Sequence, residues 1–303
     1  MVARAFRRIL LIELILYVVL GWSLVRHAGW SWIEAAAAAL GCAFAMRAMG
    51  IAATFAIAGR YASPTPPGRR LGLAAWLRLY FAELGAFVLA YNLYQPFERL
   101  LMGEERLQPL PRERLPVLLL HGYVCNRGFM LPLRRYLGAR GISAYTHNLE
   151  PAYADIDSYV DGLARRIEEI CATTGADKLV MLAHSMGGLA ARAYLRKHGA
   201  RRVAKLITLG TPHHGTALAR LGAGKNGEQM LPGNAWLERL NEAALAVPTV
   251  SVFSYQDNLV SPQDSAALAG ATNLGISGVG HISMPFSRRI REIALEEILA
   301  ARR

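Results

Sequence analysis

The sequence predicts an α/β fold, a mostly parallel sheet with helices on both faces, preceded by an all-helical apolar region. Three observations carry this expectation. From Leu115 onward, short apolar runs alternate with helical stretches, the pattern of a sheet covered on both sides. Within that part, Val180 to Leu189 reads as a strand, a tight small-residue turn and a helix, with Ser185 at the apex. Before it, some ninety residues are apolar and hold few acids.

The 303 residues are 53% hydrophobic and only 18% charged, with a formal net charge of +12. Mean hydropathy is +0.23, high for a chain that lives wholly in water. Residues 1–70 carry eight arginines against Glu13 and Glu34, so half of the net charge lies beside the apolar segments, where it suits an anionic lipid surface. No basic helix face interleaved with aromatics, finger or helix-turn-helix pattern points to nucleic acid. Cys42, Cys125 and Cys171 are too few and scattered for a disulfide framework, and three buried thiols are expected.

In the N-terminal region, residues 9–25 form an apolar run broken only by Glu13. As a helix it rises about 26 Å, the lower edge of what crosses a hydrocarbon core. No small-x-small cleavage site comes after it, so an uncleaved membrane helix is expected rather than a signal peptide. Residues 33–58 are a second, alanine-rich candidate with Arg47 inside it, a charge that costs roughly 2.5–3.5 kcal/mol at mid-span. Residues 71–94 are a third, carrying Arg78 and Glu83 five positions apart, where they do not pair cleanly on one face. This segment can span, lie in the interface or pack on the C-terminal domain. With three spans and the basic flanks of Arg4, Arg7, Arg8, Arg60, Arg69 and Arg70 inside, the remainder faces outward. With two it faces the cytoplasm. The expected arrangement is the former, on the periplasmic side of a bacterial inner membrane. Linker composition around residues 96–114 separates the helical region, 1–95, from a catalytic domain over 115–303.

In that domain, strands are expected at 117–120, 142–146, 178–182, 203–209 and 249–255, and helices at 127–140, 156–174, 186–198 and 287–301. The last helix sets Glu292, Glu296 and Glu297 opposite an Ile290, Ile293, Ala294 and Ile298 stripe, an ordinary helix on a sheet. Ser185 could be a plain helix N-cap, but Ala183, Gly187 and Gly188 supply the small neighbours that a strained nucleophile elbow needs. His121 and Gly122 end the first strand, at the edge where ligands bind in such sheets. The N–H groups of Tyr123 and Met186 are candidate oxyanion donors, with His121 and Gly122 supporting the loop. Asn126 and Arg127 shape the loop or start the helix. His184, one position before the nucleophile, should point away and pack beneath the site. Asp257 lies just past a strand and His281 on a glycine-rich loop before the last helix, in the order of a nucleophile, acid and base set. Asp264 is the second candidate for the acid.

From about residue 115 to the end, the chain resembles the α/β hydrolases of the lipase and carboxylesterase type. The resemblance rests on Ala183-His184-Ser185-Met186-Gly187-Gly188, on His121-Gly122, and on Gly210-Thr211-Pro212-His213-His214-Gly215-Thr216. It implies that Ser185, Asp257 and His281 form a catalytic triad and that Tyr123 and Met186 give the oxyanion amides. Ala183 stands where the family more often has glycine, and the hydrophobic N-terminal region is absent from ordinary secreted lipases of this kind.

No cofactor is implied. His213 and His214, with Asp155 and Asp157, have no sharp metal-ligand spacing, and triad chemistry needs no metal. Residues 216–247 form a long insertion in which Leu218, Leu221, Met230, Leu231, Trp236, Leu237 and Leu240 serve either a cap over the site or a packed helix pair. Ester hydrolysis with a lipid or acyl-ester substrate at a membrane is the expected function. A membrane-bound acyltransferase or thioesterase with the same triad is the alternative, and a non-catalytic membrane scaffold the lesser one. Nothing in the sequence indicates oligomeric state.

Overall fold

A computed structural model of the chain describes residues 1–111 and 114–301. It opens with two long helices, α1 (Val2–Ala28) and α2 (Trp32–Arg60). The turn between them has clear local causes. Gly29 takes the left-handed conformation, φ 74°, that ends α1, and Ser31 and Glu34 close a capping box that starts α2. Helix α3 (Leu73–Val88) continues through π-helical turns at Leu89–Tyr94, and a short α4 (Glu98–Met102) comes next. Helices α1, α2 and α3 with its extension are all long and apolar enough to cross a membrane.

The second part is a six-stranded, entirely parallel sheet in the order β2-β1-β3-β4-β5-β6. Its strands are β1 (Val117–Leu120), β2 (Ala144–His147), β3 (Leu179–His184), β4 (Val203–Leu209), β5 (Thr249–Ser254) and β6 (Thr272–Ile276). The covering helices are α5 (Leu131–Gly138), α6 (Val160–Thr174), α7 (Met186–His198), α8 (Gly224–Gln229), α9 (Ala235–Glu242) and α10 (Arg288–Leu299). Alternate residues of β1 face opposite cores. Leu118 and Leu120 pack with α6, α7 and α9, whereas Val117 and Leu119 pack with α5 and α10.

The expected sheet is present with one strand more. β6 lies at the sheet edge with Thr272 and Asn273 exposed and Ile276 buried, so Thr272 to Ile276, interrupted by Gly275, lacks the continuous apolar run that marks a buried strand. Cys125 and Cys171 are buried as expected, but Cys42 is exposed on α2.

The third apolar segment packs on the sheet domain. Leu84, Ala86 and Ala90 of α3 and its extension join the same core as α5 and α10, together with Ile51 of α2. The stretch after α4 is docked as well: Glu105 accepts hydrogen bonds from the Thr146 amide and hydroxyl and pairs with Arg166 at 2.6 Å. By contrast, the outer faces of α1 and α2 expose Leu11, Leu14, Val18, Trp22, Leu40 and Phe44, more apolar surface than water tolerates.

Candidate active site

Strand order reverses at β1, because β2 lies on one side of it and β3 on the other. Such a switch point opens a crevice at the strands' carboxyl ends. The register pairs Leu120 with Ala183, so the residues just beyond each strand meet across the crevice. Gly122 comes so close to the elbow that an added Cβ would lie 2.9 Å from Ser185 Cβ and 3.4 Å from its Oγ.

Ser185 takes φ 55° and ψ −131°, a region that residues with side chains avoid and that strand-to-helix nucleophile elbows impose. Three contacts over-determine this geometry. The Ser185 amide donates to Leu209 O at 2.9 Å, Thr211 Oγ1 donates to Ser185 O at 2.8 Å, and the Gly188 amide donates to the same carbonyl at 2.9 Å. A Cβ on Gly187 would come within 2.5 Å of His121 O, so the elbow tolerates no side chain there. Val124, in the loop after β1, is the other non-glycine residue described with positive φ.

Asp257 and His281 meet. His281 Nδ1 and Asp257 Oδ2 are 2.8 Å apart, and both side chains are almost wholly buried. The other carboxylate oxygen, Oδ1, accepts the amides of Leu259 and Val260 at 2.8 and 2.7 Å. Burial by itself depresses the imidazole's proton affinity. The Asp257 charge and hydrogen bond, with the Glu83 carboxyl nearby, outweigh it and hold His281 above its ordinary value. Asp264 is elsewhere, hydrogen-bonded to Ser63 Oγ at 2.6 Å.

Ser185 and His281 line one apolar cavity of about 310 Å3, together with Gly122, Tyr123 and His184. Among the described residues, the amides of Tyr123 and Met186 donate to no protein acceptor. His121 lies behind them. Its Nε2 accepts the Leu149 amide at 3.0 Å, which places the proton on Nδ1, 2.9 Å from Gly122 O. Burial lowers its pKa to about 4, so the ring is a neutral strut. His184 packs between Phe129 and His281 and bonds the His281 carbonyl at 3.0 Å.

Asn126 caps the helical turn that precedes α5, through Gly128 N at 2.9 Å, and Arg127 N donates to Asn148 at 2.7 Å. His213 is buried between Arg192 and Thr208, at 3.3 and 3.2 Å. Asp155 holds Gln229, and Asp157 pairs with Arg196 and Trp236. The insertion divides its apolar residues: Leu218 and Leu221 line the cavity, Trp236, Leu237 and Leu240 are core, and Met230 belongs to both. Tyr123 ties the insertion down, its hydroxyl donating to Ala223 O at 2.6 Å and accepting Ala223 N at 2.7 Å.

Part of the wall comes from the N-terminal helices: Thr54 of α2 and Tyr91 of the π-helical turns line the same cavity as Ser185 and His281. Thr54 Oγ1 accepts from Asn258 Nδ2 at 2.8 Å, while Asn258 Oδ1 accepts the His281 amide at 3.0 Å. Glu83, fully buried, accepts the amides of Ile282 and Ser283. Sequence reasoning missed Glu83, Asn258 and Thr54. The available signal was Glu83 itself, since an acid inside an apolar helix normally requires a polar partner.

An all-parallel sheet with a strained serine elbow at its switch point is the arrangement of the α/β-hydrolase fold. Comparison with known proteins agrees. The alpha/beta hydrolase fold family matches residues 141–235. A triacylglycerol lipase of Pseudarthrobacter phenanthrenivorans and one of Burkholderia plantarii are each 32% identical over 114 residues, 35% of this chain. The matched part spans about a third of those relatives' length, 35% and 32%. Among solved structures, the mature Bacillus licheniformis lipase BlEst2 superposes with TM-score 0.57 at 19% identity, over 65% of this chain and 96% of that one. Aspergillus fumigatus lipase B gives 0.56 at 20%, over 62% and 53%. The fold is thus that of the α/β hydrolases, similar to lipases over part of the chain, and three long apolar helices precede it.

Proposed function

We propose that this chain is a membrane-embedded carboxylic ester hydrolase that acts on lipid or acyl esters through Ser185, His281 and Asp257. The observation that carries the reading is the buried 2.8 Å contact between His281 and Asp257, beside a strained serine in one apolar cavity. With Nδ1–H held by Asp257, Nε2 of the ring is left as the base. Ser185 Oγ attacks the ester carbonyl carbon and its proton passes to Nε2. The developing oxyanion is met by the amides of Tyr123 and Met186. Collapse of the tetrahedral intermediate breaks the C–O bond, and the alcohol leaves with the proton from His281. Water, deprotonated by His281, then attacks the acyl-enzyme, and the carboxylic acid is released.

The helices 1–95, the connection 96–114 and the hydrolase part 115–303 act as one unit in this reading, and the insertion 216–247 covers the site through Leu218, Leu221 and Met230 while its later part packs in the core. Two contacts support a domain on the same side as the N-terminus: Met1 N pairs with Glu150 at 2.7 Å, and Ser261 Oγ bonds Ala58 O at the far end of α2. Helices α1 and α2 then cross as a hairpin and α3 rests against the domain, which puts the basic flanks and the catalytic centre on the cytoplasmic face. The alternative, an outward-facing domain, needs α3 as a third span. A reporter fused after residue 114 separates the two, since periplasmic reporter activity would require the third crossing.

A fluorophosphonate probe tests the chemistry. Labelling at Ser185 that disappears in Ser185→Ala is expected, with turnover of p-nitrophenyl esters lost in the same variant. A folded protein that does not label at Ser185 would sink the mechanism.

A further inference from the structure

A second cavity, about 790 Å3, lies among α1, α2 and the end of α3, within the about 300–1,000 Å3 range of ligand sites. Leu16, Met46, Ile51 and Phe87 are among its walls. It abuts the catalytic cavity, because Thr54, Tyr91, Leu259 and Ile282 line both. The π-helical turns at Leu89–Tyr94 contribute Tyr91 and Asn92 to it, a local irregularity of the kind that recurs at functional sites.

Charge narrows the occupant. The one ion pair facing this cavity is closed on itself among the described residues, Arg47 donating to both Glu13 oxygens at 2.7 Å and to Ala43 O at 3.0 Å. Tyr17 adds a hydrogen bond to Glu13 at 3.0 Å. No uncompensated charge is presented to an ionic group, and the rest of the wall is overwhelmingly aliphatic and aromatic. The helices that form the cavity expose apolar outer faces, the surface that a bilayer covers. A small soluble ester has no use for so much apolar volume at that depth, whereas a fatty acyl chain does.

We propose that this intramembrane cavity holds the acyl chain of a bilayer-resident lipid ester, so that substrate reaches Ser185 from within the membrane rather than from water. The proposal rests on the ester-hydrolase reading above and adds the route and the substrate class.

The test uses the full chain in phosphatidylcholine vesicles and a long-chain alkyl fluorophosphonate with a diazirine near the end of its chain. Ser185 Oγ attacks phosphorus and fluoride leaves, which fixes one end of the probe; irradiation then reports where the tail lies. Cross-links are expected on Leu16, Met46 and Phe87. Gly50 lines the cavity, and a Cβ there meets no atom within 4 Å, so the bulk of Gly50→Trp has cavity space to enter. That variant should lose these cross-links and lower the ratio of long-chain to short-chain ester turnover by about tenfold, the loss of a few buried methylenes. Cross-links confined to Leu218, Leu221 and Met230, or to the outward Leu40 and Phe44, would overturn the proposal. So would Gly50→Trp reducing both esters equally. A probe that never labels Ser185 defeats the hydrolase reading itself, which keeps the two failures distinct.

Discussion

Glu83, in the middle of an apolar helix, accepts the backbone amides of Ile282 and Ser283 at 2.7 and 2.8 Å, one oxygen to each. These amides come immediately after His281, and Gly280, just before it, has no room for a Cβ because the same carboxylate occupies that space. The loop that presents the histidine is therefore held by the N-terminal helices from one side and by Asp257 from the other.

Replacing Glu83 by Gln leaves one acceptor for two amides and turns an NH2 group toward the second. The buried mismatch costs about 1–3 kcal/mol, to be read as a lower unfolding temperature. Because the loop carries the base, kcat is expected to fall about 10- to 100-fold, the scale of a small misplacement at a reacting centre. An unchanged kcat in folded Glu83→Gln would show that the loop holds its own geometry.

In the proposed mechanism the pH dependence of kcat/KM is set by His281, which acts as a base only when Nε2 is unprotonated. Its pKa is held up by Asp257 and Glu83 against burial, so activity should rise with pH through an inflection above the ordinary histidine value of about 6.5. Removing either negative charge moves that limb to lower pH. Asp257→Asn should also cut kcat by about 10⁴, since the wrong tautomer is then favoured. The pH profiles of wild type, Glu83→Gln and Asp257→Asn check both the sign and the order. His184, its ring 4.6 Å from His281 and itself held neutral by burial, adds no competing charge.

Gly122→Ala places a methyl 2.9 Å from Ser185 Cβ, against a backbone that three hydrogen bonds already pin. The loop bearing the Tyr123 amide must withdraw, and loss of one oxyanion donor is worth about 10²–10³ in kcat. Fluorophosphonate labelling and thermal unfolding, measured together, separate a displaced donor from a misfolded protein.

Arg47 and Glu13 form a bidentate pair between α1 and α2, with side chains only 15% and 22% exposed. Arg47→Met alone leaves the Glu13 carboxyl at the cavity with Tyr17 but without its cation and should destabilise by about 3–5 kcal/mol, whereas adding Glu13→Leu should restore most of the loss. Thermal unfolding in detergent micelles of both single variants and the double variant gives the coupling directly. Additive effects would mean that the pair does not join the helices.

Much of the fold was legible because its signals are local. The apolar runs that became β1, β3, β4 and β5 carry strand character in a handful of residues, and the long apolar stretches that became α1, α2 and α3 stand out by hydropathy. β6 was not legible, since an edge strand with Ile276 as its one buried residue writes no apolar run into its sequence. Ser185 announced itself through the small residues that its backbone strain requires. The meeting of Asp257 with His281, and not of Asp264, depends on where two loops come together, and Asp264 is drawn instead to Ser63, some two hundred residues away in sequence.

By itself the sequence determined the class of fold, the nucleophile elbow and the presence of long apolar helices, because periodicity, small-residue turns and hydropathy act over a few residues. Only the tertiary structure decided what those helices do. Glu83 and Arg47 read as costly charges in apolar segments, but each is satisfied by a partner that is distant in sequence: the amides after His281 for one, Glu13 across the hairpin for the other. Burying a polar group obliges the chain to bring it a partner. Meeting that obligation brought the apolar helices against the loop that carries His281.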